Sequence, residues 1–181
     1  FNNDKSNETV FGLTEGCESW EIKNNTSDRV IFKKSDYSDN TWLSDFEARY
    51  PEDNTDYTNL KRLTDWLVST DRSAVSTESA KINRLNKFRN EFEDYFVKIP
   101  TLYYYIFTEV FLMVDNRAKN FFPSTFDGVH WLPLPYDMDT AIGINNEGQL
   151  VFDYDLEDTD TVSGSNVFNG QESVLWCNVR V

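Results

Sequence analysis

Histidine is nearly missing from this chain. His130 stands alone among 181 residues, which excludes a histidine-rich zinc site and any Ser-His-Asp chemistry drawing on several histidines; a solitary imidazole reads as structural. Cysteine is almost as scarce. Cys17 and Cys177 match no CxxC or metal-ligand spacing and define no disulfide framework, so they leave the redox compartment open. Basic residues are outnumbered, 17 against 31 acidic, for a net charge of -14 and a pI near 4.4. That balance argues against broad phosphate-backbone binding, which needs a basic face, and so against nucleic acid as a partner. The acidity itself reads as a solubilising surface.

Long apolar runs are missing too. The greasiest stretch, "IPTLYYYIFTEVFLMV", is broken by Thr101, Thr108 and Glu109 and falls short of the roughly 20 residues that span a bilayer. It is expected to be a buried helix, with no membrane insertion. No repeat, low-complexity tract or charged-then-apolar leader is visible, and the chain opens on Phe1 without a Met; the reading is a piece of a longer protein.

What is present is a folded composition. Aromatics reach 15 % and charged residues 27 %, values of an ordered single domain rather than a disordered segment. The expected class is α+β, with an α-rich body and small β-hairpins. Residues 1–40 read as a partial β-rich segment, 41–114 as the helical body, and 115–181 as a polar loop, hairpins and an acidic tail.

Within the first segment "SWEIKN" and "RVIFKK" are strand-like around an Asn-Asn-Thr-Ser turn. The sequons at Asn7, Asn24 and Asn25 read as turn chemistry rather than glycosylation. "TWLSDFEARYP" looks helical up to Pro51. Leu60, Leu63 and Leu67 share one helical face, with Thr55 or Asp56 as N-cap. Ile82, Leu85, Phe88, Phe92 and Phe96 repeat that logic. Pro100 should then reset the chain before a helix from about Leu102 to Val114.

Beyond that helix the period shortens, and Asp127-Gly128 and Asn145-Asn146-Glu147-Gly148 read as turns between short apolar segments. Asp153, Asp155, Glu157, Asp158 and Asp160 crowd the tail, without the Gly and terminal Glu of an EF-hand. They read as a solvated loop.

The chemistry-bearing stretch is "VDNRAKNFF" followed by "HWLPLPYDMDTAIG". Asp115 and Asn120 stand five positions apart, as do the Asp and Asn of a protein-kinase catalytic loop, and Asp137 and Asp139 follow across a hairpin, where a kinase keeps its metal-binding Asp. Arg117 and Lys119 are candidates to balance the carboxylates or contact phosphate. The plainer alternative is that Asp115 caps a turn and pairs with Arg117 while Asp137 and Asp139 cap the next element.

The run "DNRAKN…FDGVHWLPLPYDMDTAIG" resembles the CotH kinase family, atypical kinase-like proteins first associated with bacterial spore coats, and "WEIKNNTSDRVIF" is similar to a segment of many members. The resemblance spans about residues 18 to 145, with its specific part at 115–143. It implies a kinase-like C-terminal lobe with Asp115 as the base that takes the substrate hydroxyl proton. Asn120 would assist metal or loop geometry, and Asp137 would hold Mg²⁺ on ATP with Asp139 as neighbour or substitute ligand. The implied activity is Mg²⁺-ATP-dependent phosphotransfer to protein Ser or Thr. The loop departs from the protein-kinase pattern in having no His-Arg before its Asp, and no Gly-rich loop with a strand Lys precedes it. The tail is similar to segments of CotH-like domains in bacteriophage virion proteins. That likeness implies the alternative, a catalytically silent assembly module of a virion, spore coat or bacterial surface with assembly partners in place of a protein substrate.

Overall fold

The computed structural model describes residues 16–22, 46–113, 116, 117, 120–144, 148 and 173–181. "RVIFKK", the three sequons, Asp115, Lys119 and the acidic run from Asp153 to Asp160 lie outside the described residues. Strands β1 (Glu18–Ile22), β2 (Phe46–Tyr50), β3 (Phe121–Thr125) and β4 (Trp131–Pro135) form one antiparallel sheet in the order β2-β1-β3-β4. Helices α1 (Thr58–Ser69), α2 (Glu78–Glu91), α3 (Lys98–Val110) and α4 (Val174–Val179) complete an α+β architecture. Among the described residues no helix is long and apolar enough to cross a membrane.

The segment expected to be helical before Pro51 is instead β2. Glu, Ala and Arg favour helix locally, but tertiary pairing overrides this. Phe46 and Ala48 join Trp20 and Ile22 of β1 in the core, while Arg49, at the bulge between Ser19 and Trp20, reaches Glu21 and Glu47 on the outer face. The helical body thus begins at Thr58.

Helix α1 follows its apolar period. Leu60, Leu63 and Leu67 are fully buried. Asp56 accepts the Thr58 amide at 2.9 Å, one position ahead of the N-cap Tyr57. Helix α2 keeps only part of its expected core face. Phe88, Phe92 and Phe96 are buried, Leu85 is half-buried and Ile82 is exposed. The helix gives way to a 3₁₀ turn at Phe92–Asp94, and only its C-terminal half lies over the aromatic core. There Trp66 stacks on Tyr95 at 4.3 Å and on Phe88 at 5.4 Å, and Phe92 stacks on Phe96 at 5.3 Å.

Helix α3 departs most from expectation. It starts at Lys98 and takes Pro100 into its first turn, where the missing N–H has no helical partner to lose. It ends at Val110, well before Val114. It is also not buried: Thr101, Tyr104 and Thr108 face inward, whereas Ile99, Tyr103, Ile106, Phe107 and Val110 face out. The residues that interrupt the run, Thr101 and Thr108, are the ones that face the core, so its apolar spacing marks the outer side instead of the buried one.

The β3–β4 hairpin turns at Asp127-Gly128 as expected. Asp127 Oδ1 accepts the amides of Val129 and His130, both at 2.8 Å, and the Thr125 hydroxyl at 3.1 Å; Oδ2 sits 2.6 Å from His130 Nδ1. Burial pushes this carboxyl up, but His130, Val129 and Thr125 together hold it well below the usual carboxylate range. His130 is accordingly a turn residue. Pro123 and Pro133 face each other across the hairpin, and β1 pairs with β3 only at Ser124 and Thr125, so neither missing donor removes a ladder bond.

One arrangement positions the site. The Val97 amide donates to the Trp131 carbonyl and the Trp131 amide to the Tyr95 carbonyl, both at 2.8 Å, so α3 and β4 leave from one point. Thirteen helical steps from Val97 to the end of α3 at Val110 cover about 20 Å, and five extended steps from Trp131 to Tyr136 about 17 Å. The two elements therefore end side by side.

Candidate functional site

Where α3 and β4 end, the chain turns at residues 111, 112, 116 and 117 and again over 139–142. Asn116, Arg117 and Asn120 are all buried, although loop residues of this polarity ordinarily face water. Each is held by the elements around it.

Asn116 is the tie between the two halves. Its Nδ2 donates to the carbonyls of Asn120 at 2.9 Å, Tyr136 at 3.0 Å and, at longer range, Asp137 at 3.4 Å. The Asn120 carbonyl also accepts the Tyr136 amide at 3.1 Å. The Tyr104 hydroxyl donates to the Asn116 carbonyl at 2.7 Å. Burial pushes that phenol well above its ordinary range, so it stays a donor. Among the described residues Asn116 Oδ1 is buried with no hydrogen-bond partner, a rare condition in a folded core.

Arg117 has a different neighbourhood. Its guanidinium, fully buried, pairs with Glu109 at 2.6 Å, donates through Nε to Thr108 Oγ1 at 2.9 Å, and lies 4.2 Å from the centroid of the Tyr105 ring. Burial pushes its pKa down while Glu109 and Tyr105 oppose the shift; an arginine stays charged in any case. The Trp176 indole donates to the Arg117 carbonyl at 3.0 Å, fastening the loop to α4, whose N-cap Ser173 accepts the Trp176 amide. Arg117, a candidate to balance the carboxylates or contact phosphate, makes these contacts with α3.

Asp137 and Asp139 stand exposed just past β4. Asp137 has a φ of 45°, and Leu112 and Ile142 lie at 46° and 64°. Aspartate enters this left-handed region with modest cost, but a β-branched Ile there is a true outlier. Beside these positions the Ile142 amide donates to the Phe111 carbonyl at 2.5 Å and the Asn116 amide to the Met113 carbonyl at 3.4 Å. Strain of this kind, of order 1–3 kcal/mol per residue, persists where the surroundings over-determine the backbone, and it concentrates at functional sites.

Of the six residues singled out from sequence, Asn120 and Asp137 share the Asn116 amide through their backbone carbonyls, Asp139 lies two positions beyond Asp137, and Arg117 packs against α3. Asp115 and Lys119 lie outside the described residues. Sequence reasoning passed over Asn116 and Tyr104. The signal for Asn116 was an amide set directly after Asp115 in an otherwise apolar or charged run.

Among the described residues no group of three or more His, Cys, Asp and Glu forms a metal cage. Nucleotide-bound Mg²⁺ asks less, since it keeps waters and phosphate oxygens and takes one or two carboxylates. Asp137 and Asp139 meet that requirement in donor type, and Asn116, whose Nδ2 donates to the Asp137 carbonyl, carries a further acceptor in Oδ1. No protein-family model matches this chain, and neither does any curated protein or solved structure.

Proposed function

We propose that this chain is a kinase-like domain of the CotH type, its helical part corresponding to a kinase C-terminal lobe, that binds Mg²⁺-ATP and passes a phosphoryl group to a protein Ser or Thr hydroxyl. The observation that carries this reading is the Asn116 tie, which draws the Asn120 end of the loop and the Tyr136–Asp137 turn onto one amide. Phosphoryl transfer is chiefly positioning and electrostatic stabilisation. A buried amide joining two loops that both carry candidate ligands supports that kind of work.

In this reading Asp115 takes the proton of the attacking hydroxyl and Lys119 balances phosphate charge. Asn120 and Asp137, with Asp139 beside it, would hold Mg²⁺, which when bound neutralises charge on the phosphates. Arg117 is an anchor, its guanidinium occupied with Glu109 and Tyr105. Tyr104 and Trp176 keep the loop backbone in place through its carbonyls.

A second reading, a catalytically silent assembly module of a phage virion or bacterial surface structure, draws support from the apolar outer face of α3. Titration of the complete protein with a fluorescent ATP analogue, with and without Mg²⁺, separates the two. Mg²⁺-dependent binding should vanish in Asp137→Ala and survive in Asp115→Asn, while phosphate transfer to a protein acceptor falls about 10²- to 10⁴-fold in Asp115→Asn. A wild type that binds no nucleotide, or equal loss in both variants, would remove the kinase reading.

A further inference from the structure

We propose that the outer face of α3 is a self-association surface, paired in solution with α3 of a second copy of this chain. The helix is amphipathic in the wrong sense for a lone domain: it buries Thr101, Tyr104 and Thr108 and leaves Ile99, Tyr103, Ile106 and Val110 57, 67, 54 and 68 % exposed. A surface helix ordinarily turns its apolar stripe to the core.

The spacing names the kind of occupant. Ile99, Tyr103, Ile106 and Val110 recur at steps of four, three and four, the a/d seam by which one helix packs along another at a shallow angle. Phe107 and Phe111, with ring centroids 4.4 Å apart, widen the stripe on one flank. An extended peptide or a small ligand would have no use for that period.

Area and charge point to a second copy. With each such side chain presenting on the order of 200 Å² when fully exposed, these six residues offer roughly 700 Å². That exceeds the largest patch on an ordinary monomer, about 300–600 Å², and approaches the roughly 800 Å² each partner brings to a standard interface. The only charged residues of α3, Lys98 and Glu109, are engaged with Glu93 and Arg117 at 2.6 Å each. Like charges therefore do not meet across the seam when the face is laid on itself about a two-fold axis. The copies still repel at long range, each carrying -14. Salt should accordingly strengthen the pairing by screening that repulsion, the opposite of its effect on an electrostatically matched partner.

Sedimentation velocity on the full chain, up to about 100 µM, reads the outcome, since interfaces of this size associate at µM or tighter. The wild type should form a dimer whose fraction rises with protein and with NaCl. Tyr103→Glu and Val110→Glu should each weaken it at least about tenfold with an unchanged far-UV circular dichroism spectrum, and Ile82→Glu, on the exposed part of α2, should leave it intact. A wild type that stays monomeric would overturn the pairing and give the face to a partner of other sequence. A dimer indifferent to both α3 substitutions would overturn it as well.

Discussion

Replacing Asn116 tests whether one amide holds the two loops together. Asn116→Ala removes two good hydrogen bonds, at 2.9 and 3.0 Å, and one long one at 3.4 Å. At about 1 kcal/mol net per bond, with part of the desolvation cost of the carbonyls left behind, the loss should be about 2–4 kcal/mol. The Asn120 carbonyl keeps the Tyr136 amide, which limits the damage. Asn116→Asp is nearly isosteric yet worse, because it sets a buried carboxylate against the same carbonyls; about 3–5 kcal/mol is expected. The introduced carboxyl has a raised pKa in the folded protein. Its penalty is therefore absent below its unfolded pKa of about 3.9, grows as pH rises toward the folded value, and is complete above that. Urea unfolding followed by tryptophan fluorescence at about pH 5 and about pH 8 reads this directly. If Asn116→Asp unfolds within about 0.5 kcal/mol of wild type at the higher pH, or shows no pH dependence, the amide is not the tie.

Two further outcomes follow from the hairpin. Gly128 has a φ of 73°, and a Cβ there would lie 2.9 Å from Asn59 Nδ2, so Gly128→Ala should destabilise by about 1–3 kcal/mol; Asn59→Ala in the same chain should recover the steric part only, as a double-mutant cycle in urea would show. Because Asp127 is held below the ordinary carboxylate range, its contribution is present above about pH 3.9 and fades as pH falls through the folded pKa. Asp127→Asn should flatten the acid limb of a stability–pH curve by under about 1 kcal/mol, the side chain being half-exposed.

How much of this was legible in the sequence varied with the kind of signal. Helix α1 was readable because Leu60, Leu63 and Leu67 carry both the period and the burial. The hairpin was readable because Asp127-Gly128 is local turn chemistry. β2 was misread because its strand character comes from pairing with β1, more than twenty residues upstream, and "FEARY" alone has the residues of a helix. α3 was misplaced because its apolar stripe lies on the outer side, while the threonines that interrupt the run face the core. Helix α4 went unnoticed at the end of an acidic tail, although Ser173 before "VLW" is a recognisable N-cap. At the site, the Asp and Asn spacings singled out residues 120 and 137, whose backbone carbonyls both accept from the Asn116 amide. The device that joins them, an amide donating to three carbonyls, has no sequence period and shows only in three dimensions.

The ion pair beneath the loop has a consequence for how related sequences can drift. Arg117 is sealed from water and Glu109 sits 2.6 Å away with about a third of its side chain exposed. Losing Glu109 alone deprives a desolvated cation of that counter-ion, whereas replacing both by apolar residues of similar volume is often nearly neutral. Single steps away from the pair are thus steep and the double step is shallow. Positions 109 and 117 should change hands together across any lineage that keeps this loop, and a homologue with one of them neutral and the other still charged should be rare.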